Sequence, residues 1–152
     1  HSIDLCAKVS SWVLREVFEA LYRHNVALDA MILKPSMVLS GNAATKRAGV
    51  REVAEKTLEV FADTVPASIP TINFLSGGQT PQEATAHLLM INELKGNLPW
   101  NISFSYSRAL QESPLHAWGG QEKNWSAAQD AFFKRAKLNS QANLGKYSES
   151  ME

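Results

Sequence analysis

A chain of parallel βα units is the architecture this sequence predicts, and three observations predict it. Apolar runs of five to eight residues alternate with longer, one-sided amphipathic segments. Glycine, serine, lysine and arginine gather just after the apolar runs, where a strand hands over to a helix. The 152 residues suffice for a sizeable core, and 15 basic and 15 acidic side chains are interspersed to a net charge of zero. Strands that alternate with helices in this way pair in parallel.

The elements follow in order. Leu5 to Arg23 reads as a helix, with Leu5, Val9, Trp12, Val13, Val17, Ala20 and Leu21 forming its apolar stripe. Val26 to Leu33 reads as a strand that ends at Lys34 and Pro35, and Ser40 to Gly49 as a polar loop. Val50 to Asp63 is a second helix with Val53, Thr57, Val60 and Phe61 turned inward. Ile69 to Leu75 is a strand. Thr80 is a suitable N-cap and Pro81 a suitable first residue for a helix running to Leu94. Asn101 to Tyr106 is the last strand, Ser126 to Asn143 the last helix, and the tail from Gly145 is expected to be loose. Beyond the βα alternation there is no repeat and no low-complexity tract.

Composition excludes several classes. Balanced, interspersed charge argues against a nucleic-acid or membrane-surface role. No apolar run approaches the ~18 residues of a membrane span, and no signal peptide is visible. Cys6, the single cysteine, lies in the first helix and reads as a small buried hydrophobe. A reducing, cytoplasmic setting fits, and a plastid setting stays compatible. His24, His87 and His116 have no metal-ligand spacing with Cys6 or with one another, so they read as solvated or packed. Lys134, Arg135 and Lys137 read as a solvated helix face. Trp118-Gly119-Gly120 reads as a turn whose tryptophan packs on the fold. Asp29 is five positions from Lys34, on the opposite face of a regular strand, and receives no proton-transfer role.

Lys34 stands inside the apolar run Met31-Ile32-Leu33-Lys34-Pro35-Ser36-Met37-Val38. Apolar enclosure disfavours the charged form of an amine and turns it into a usable nucleophile that can form a Schiff base. The plainer reading is a strand-end lysine whose head snorkels to water. Ile72-Asn73-Phe74-Leu75-Ser76-Gly77-Gly78-Gln79-Thr80-Pro81 is a strand, a Gly-Gly turn and a helix start, a sequence that suits anion binding but also occurs without ligands. Asn101-Ile102-Ser103-Phe104-Ser105-Tyr106-Ser107-Arg108 ends in hydroxyls and an arginine suited to phosphate, or in a surface arginine. The three segments fit one geometry, the carboxyl-end face of a (β/α)₈ barrel, where phosphate sites follow late strands. A phosphorylated carbonyl compound would then be gripped by the loops while the lysine attacks.

The segments Ile32-Leu33-Lys34-Pro35-Ser36-Met37-Val38, Phe74-Leu75-Ser76-Gly77-Gly78-Gln79, Phe104-Ser105-Tyr106-Ser107-Arg108-Ala109-Leu110-Gln111, Ala117-Trp118-Gly119-Gly120 and Leu144-Gly145-Lys146-Tyr147 resemble the carboxyl-terminal part of class I fructose-bisphosphate aldolases. The resemblance covers nearly the whole chain. It implies Lys34 as the Schiff-base lysine and Ser76, Gly77, Gly78, Ser107 and Arg108 as substrate-phosphate residues. Ser107 stands where many members have glycine, a change that keeps the backbone N–H. Thr71 replaces a frequent glycine, and Ser36 an asparagine of some members.

The resemblance further implies a partial barrel of about three strands with helices, residues 1–144, followed by a tail, 145–152. A whole barrel needs about 250 residues. Four or five strands, with the acid–base residues and the groups for a second phosphate, are expected outside this chain. The implied activity is reversible aldol cleavage of fructose 1,6-bisphosphate to dihydroxyacetone phosphate and glyceraldehyde 3-phosphate, in glycolysis and gluconeogenesis. It needs no cofactor or metal, because the imine is the electron sink. The implied partners are a sugar phosphate and, at full length, further copies of the protein, with no nucleic acid and no membrane. Two alternatives stand beside it: an inactive truncated barrel that only binds sugar phosphates or partner proteins, and a Schiff-base aldolase for another sugar phosphate.

Overall fold

The computed structural model describes residues 1–152. Three strands form one parallel sheet in the order β1 (Ile32–Leu33), β2 (Thr71–Phe74), β3 (Asn101–Phe104). Five helices accompany them: α1 (Ile3–Arg23), α2 (Val50–Thr64), α3 (Pro81–Leu94), α4 (Arg108–Trp118) and α5 (Trp125–Asn143). Sequential strands are spatial neighbours, each pair joined by one helical crossover. The register pairs Leu33 with Ile72, and Ile72 with Ile102, so the carboxyl ends of the strands are level.

Strand alternation gives the sheet two unlike faces. Leu33, Ile72, Phe74 and Ile102 are buried, with Phe61 of α2 stacked on Phe74 at a 5.5 Å centroid distance. Val53, Ala54 and Phe61 of α2 and Ala84, Leu88 and Ile91 of α3 join them in one core. Ile32 is exposed on the other face, while Asn73 and Ser103 on that face are half-buried. No helix of the chain covers this second face, so it carries fewer apolar residues.

α3 spans the residues that the cap signals mark. Thr80 Oγ1 accepts from Glu83 N at 3.1 Å and Glu83 Oε2 accepts from Thr80 N at 2.8 Å, a complete capping box with Pro81 behind it. α2 runs one residue further than expected, and α1 and α5 start slightly earlier.

Six expectations are corrected. The strand expected over Val26 to Leu33 is paired only at Ile32–Leu33, with a 3₁₀ turn at Leu28–Ala30 before it. β1 has a neighbour on one side only, and Ala27-Leu28-Asp29-Ala30 are weak strand formers. The α1 stripe is not core: Leu5, Val9, Trp12, Val13 and Val17 are exposed, and α1 buries Ile3, Leu14 and Phe18 instead. The helix has two apolar faces, and only the one toward α2 is covered. α4 was not expected, and it carries Pro114, a residue that normally disfavours a helix interior. It sits inside a helix that closes at Gly119, whose positive φ of 56° is the left-handed cap glycine supplies readily. Trp118 ends that helix 39% exposed rather than packed.

The last two corrections concern α5 and the segment after it. Arg135 is buried, not solvated: Nη2 donates to Pro81 O at 2.8 Å and to Thr85 Oγ1 at 2.5 Å, and Nη1 donates to Glu152 Oε2 at 2.5 Å. The segment after Gly145 is correspondingly docked. Tyr147 is buried and its hydroxyl donates to Glu152 Oε1 at 2.9 Å.

The outer edges of β1 and β3 have no strand partner, and the α1 stripe adds contiguous apolar surface. Such edges and patches drive association. Residues 1–152 by themselves are therefore expected to self-associate as concentration rises, measured by light scattering. A monodisperse monomer with a sharp cooperative melt would show that this surface is tolerated.

Candidate active site

The site begins with level strand ends. The parallel pattern continues one step past each ladder: Leu75 N donates to Pro35 O at 3.0 Å, and Ser105 N donates to Phe74 O at 2.9 Å. Lys34-Pro35, Leu75-Ser76 and Ser105 therefore leave the sheet side by side. Lys34 follows β1 directly, and alternation puts it on the uncovered face with Ile32.

The Ser76-Gly77-Gly78-Gln79 turn is closed by Gln79 N donating to Ser76 O at 3.3 Å. Gly78, at its third position, has φ of 78°, which a side chain would strain. Gly77 is needed for closeness instead. A Cβ there would lie 3.1 Å from Arg108 Nη2 and 3.1 Å from Leu75 Cδ1, so the guanidinium rests directly over the glycine backbone. Ser76 is buried, and its Oγ accepts from Ala109 N at 3.3 Å, joining the turn to the first turn of α4. Ser107 is the residue before α4, and its carbonyl accepts from Leu110 N and Gln111 N. The helix start leaves its first N–H groups without helical partners, a natural anion position. Ser76, Gly77, Ser107 and Arg108 thus share one corner between β2 and β3, with Gly78 on its rim.

Lys34 is placed differently. It is exposed and belongs to no ion pair, so the apolar enclosure expected around it is not formed by these residues. A cleft of about 560 Å³ is walled by Gly78, Arg108, Arg47 and Glu83 among others, and Lys34 is not in its wall. That cleft marks space beside the glycine turn, not around the amine.

Four polar residues at the site received no role from the sequence. Asn73 lies on the uncovered face, and its Oδ1 is buried without a hydrogen-bond partner. Alternating polarity inside Ile72-Asn73-Phe74 was its only sequence signal. Arg47 and Glu83 pair at 3.1 Å across the rim, a contact between segments 36 residues apart that no local pattern announces. His87 packs beneath the turn, 4% exposed, with Nδ1 2.7 Å from Gln79 Oε1.

Parallel βα units with a lysine, a glycine turn and an arginine at their strand ends define an α/β class, and comparison with known proteins defines the family. The sequence profile described as class-I fructose-bisphosphate aldolase, glycolytic, matches residues 1–152. The chain belongs to the class I fructose-bisphosphate aldolase family. It is 48% identical over 147 residues to "Fructose-bisphosphate aldolase 4, cytosolic" of Arabidopsis thaliana, which covers 97% of this chain and 37% of that protein. It is 48% identical over 148 residues to "Probable fructose-bisphosphate aldolase class 1" of Xanthomonas campestris, covering 97% of this chain and 44% of that protein. Among solved structures, fructose-bisphosphate aldolase from Plasmodium falciparum, in complex with TRAP and a small-molecule inhibitor, superposes with a TM-score of 0.93 at 42% identity, covering 97% of this chain and 42% of that one. The chain therefore spans about two fifths of the length of these relatives. Its three parallel βα units are part of the (β/α)₈ barrel of that fold.

Burial lowers the His87 pKa from its ordinary 6.5 to about 4, with Glu83 raising it and Arg47 lowering it as smaller effects. The unfolded chain then binds a proton near pH 6.5 that the folded chain refuses until about pH 4. Stability held above pH 6.5 is therefore lost as pH falls toward 4, by roughly 2 kcal/mol between pH 7 and pH 5. Denaturant titrations of the protein carrying these residues should show that loss, and His87→Gln should reduce it. Equal acid sensitivity in both would assign the loss to other groups.

Proposed function

We propose that the protein carrying this chain is a Schiff-base aldolase that reversibly cleaves fructose 1,6-bisphosphate to dihydroxyacetone phosphate and glyceraldehyde 3-phosphate, with Lys34 as its nucleophile. One arrangement supports the reading: Lys34, which the family resemblance makes the Schiff-base lysine, follows β1 level with the glycine turn after β2 and near Arg108, an arginine without an ion pair at the start of α4. Neutral Lys34 Nζ adds to the ketose carbonyl, and the carbinolamine loses water to give a protonated imine. The imine withdraws the electron pair of the breaking carbon–carbon bond, which becomes an enamine as glyceraldehyde 3-phosphate leaves. Protonation and hydrolysis return the amine and release dihydroxyacetone phosphate. The imine itself is the electron sink, so this route calls on no cofactor and no metal.

The backbone of Gly77 and Gly78, the α4 start at Ser107, and Arg108 hold one phosphate and fix the carbonyl relative to Lys34. Ser76 contributes through Ala109, keeping the turn against α4. Proton transfer is assigned to residues outside this chain, because Lys34 has no acidic partner within it. The cytosolic naming of plant relatives supports a cytosolic setting in glycolysis and gluconeogenesis. Assembly into a homo-oligomer follows the family resemblance, with the exposed α1 stripe as available apolar surface.

Borohydride added with dihydroxyacetone phosphate should trap a covalent adduct on the full-length protein, mapping to Lys34. Adduct at another of the nine lysines with Lys34 unmodified would remove the assignment.

Arg108→Ala removes a charge-assisted phosphate contact of about 1.5–3 kcal/mol. Apparent affinity for the bisphosphate should fall roughly ten- to a hundredfold, while an unphosphorylated ketose is affected far less. Equal losses on both substrates would make Arg108 structural.

A further inference from the structure

The Gly77–Gly78 turn is the most freely deformable part of the anion corner, yet one side chain restrains it from outside. Arg47 lies in the loop between β1 and α2. The base of that loop is fixed, with Val38 N donating to Thr57 Oγ1 and Ala48 N donating to Ser40 Oγ, both at 3.0 Å. From there Arg47 Nη2 donates to Gly78 O at 3.1 Å and Nη1 donates to Glu83 Oε1 at 3.1 Å. The other Glu83 oxygen accepts from Thr80 N at 2.8 Å. A single guanidinium thus holds the last carbonyl of the glycine pair and, through Glu83, the cap residue of α3. The planar fork suits this double duty, which a lysine ammonium cannot reproduce with the same geometry.

We propose that Arg47 is a positioning residue that holds the Gly77–Gly78 turn in its phosphate-binding shape and ties it to the segment bearing Lys34, an inference that rests on the function proposed above. Its charge is already matched by Glu83, so it is not the cation that meets the phosphate; Arg108, which has no ion pair, is free for that. Without the clamp the two glycines sample other conformations. The binding-competent fraction then falls, and apparent phosphate affinity falls by the same factor. Because the clamp reaches from the loop that follows β1, it also fixes the spacing between the two strand ends that a substrate must bridge.

The test is a calorimetric titration of inorganic phosphate into the full-length protein, beside borohydride trapping at Lys34 with dihydroxyacetone, which has no phosphate. Arg47→Ala and Glu83→Gln should each weaken phosphate binding about three- to tenfold, the size of a half-exposed charged contact. The double variant should be little worse than either single one, because both break the same clamp. Arg47→Lys, the variant least disturbing to folding, should fall between wild type and Arg47→Ala. Trapping with dihydroxyacetone should be spared, whereas general loss of structure would lower it too. A direct phosphate ligand behaves oppositely: freeing Arg47 by Glu83→Gln would tighten binding. Tighter binding in that variant, or unchanged phosphate affinity in all of them, overturns the clamp. Failure of the unmodified protein to trap at all overturns the Schiff-base function instead, and the phosphate titrations still decide the clamp.

Discussion

Everything at this site depends on the register of three short parallel strands. Ile72 lies between Leu33 and Ile102, and the backbone bonds from Leu75 to Pro35 and from Ser105 to Phe74 carry the alignment past the ladders. Level ends place a lysine, a glycine turn and an arginine on one rim although long stretches of chain separate them. A slip of one residue in β1 would exchange its faces. Lys34 would then point toward the helices, and Leu33 would leave the core it shares with Ile72 and Phe74. Packing on the covered face is therefore what aims the polar residues on the other one.

The glycine turn is braced from three directions. Ser76 ties it to α4 through Ala109, Arg47 ties it to the loop after β1, and the capping box makes it continuous with α3. Further back, Arg135 of α5 reaches Pro81 and Thr85 in the first turn of α3, while Asn139 Oδ1 accepts from Thr85 Oγ1 at 2.7 Å. Burying a guanidinium is costly unless its donors are satisfied. Here Pro81 O, Thr85 and the carboxylate of Glu152 serve its two terminal nitrogens while Nε stays unpartnered, and the Glu152 contact docks the carboxyl-terminal segment. Tyr106, its phenol pushed far up by burial, adds a bond from its hydroxyl to Ala84 O at 2.8 Å. The glycine turn is thus mounted on a hydrogen-bonded cluster of α3, α5 and the carboxyl-terminal segment.

Local signals in the sequence were reliable where the physics is local. Thr80-Pro81 with Glu83 marks the start of α3, and the strand-to-glycine transition at Leu75-Ser76-Gly77 marks the end of β2 and the turn after it. Signals failed where a partner decides the outcome. The α1 pattern names apolar residues correctly but cannot say which of two apolar faces α2 covers. β1 shrinks to Ile32–Leu33 because Leu28–Ala30 forms a 3₁₀ turn before it. Pro114 argues against a helix, yet Arg108–Trp118 forms one, with Ala109 seated in the core. Arg135 looks like its exposed neighbours Lys134 and Lys137 until α3 and Glu152 are brought against it.

The two halves of the proposed chemistry differ in how far this chain completes them. The corner proposed to hold phosphate is assembled from residues within it: the turn, the α4 start and Arg108 meet through contacts of van der Waals and hydrogen-bond length. The surroundings of the amine are not. Lys34 and Ile32 are exposed, Asn73 Oδ1 on the same face is buried without a partner, and both sheet edges are open. A nucleophilic amine depends on the medium around it, because apolar enclosure and neighbouring charges decide how readily it gives up its proton. The relatives are more than twice as long as this chain, and their additional length is what would close a barrel against this face. Under the proposed function, phosphate recognition and amine activation are physically separable: the first would follow from strand register, two glycines and a helix start, and the second from barrel closure.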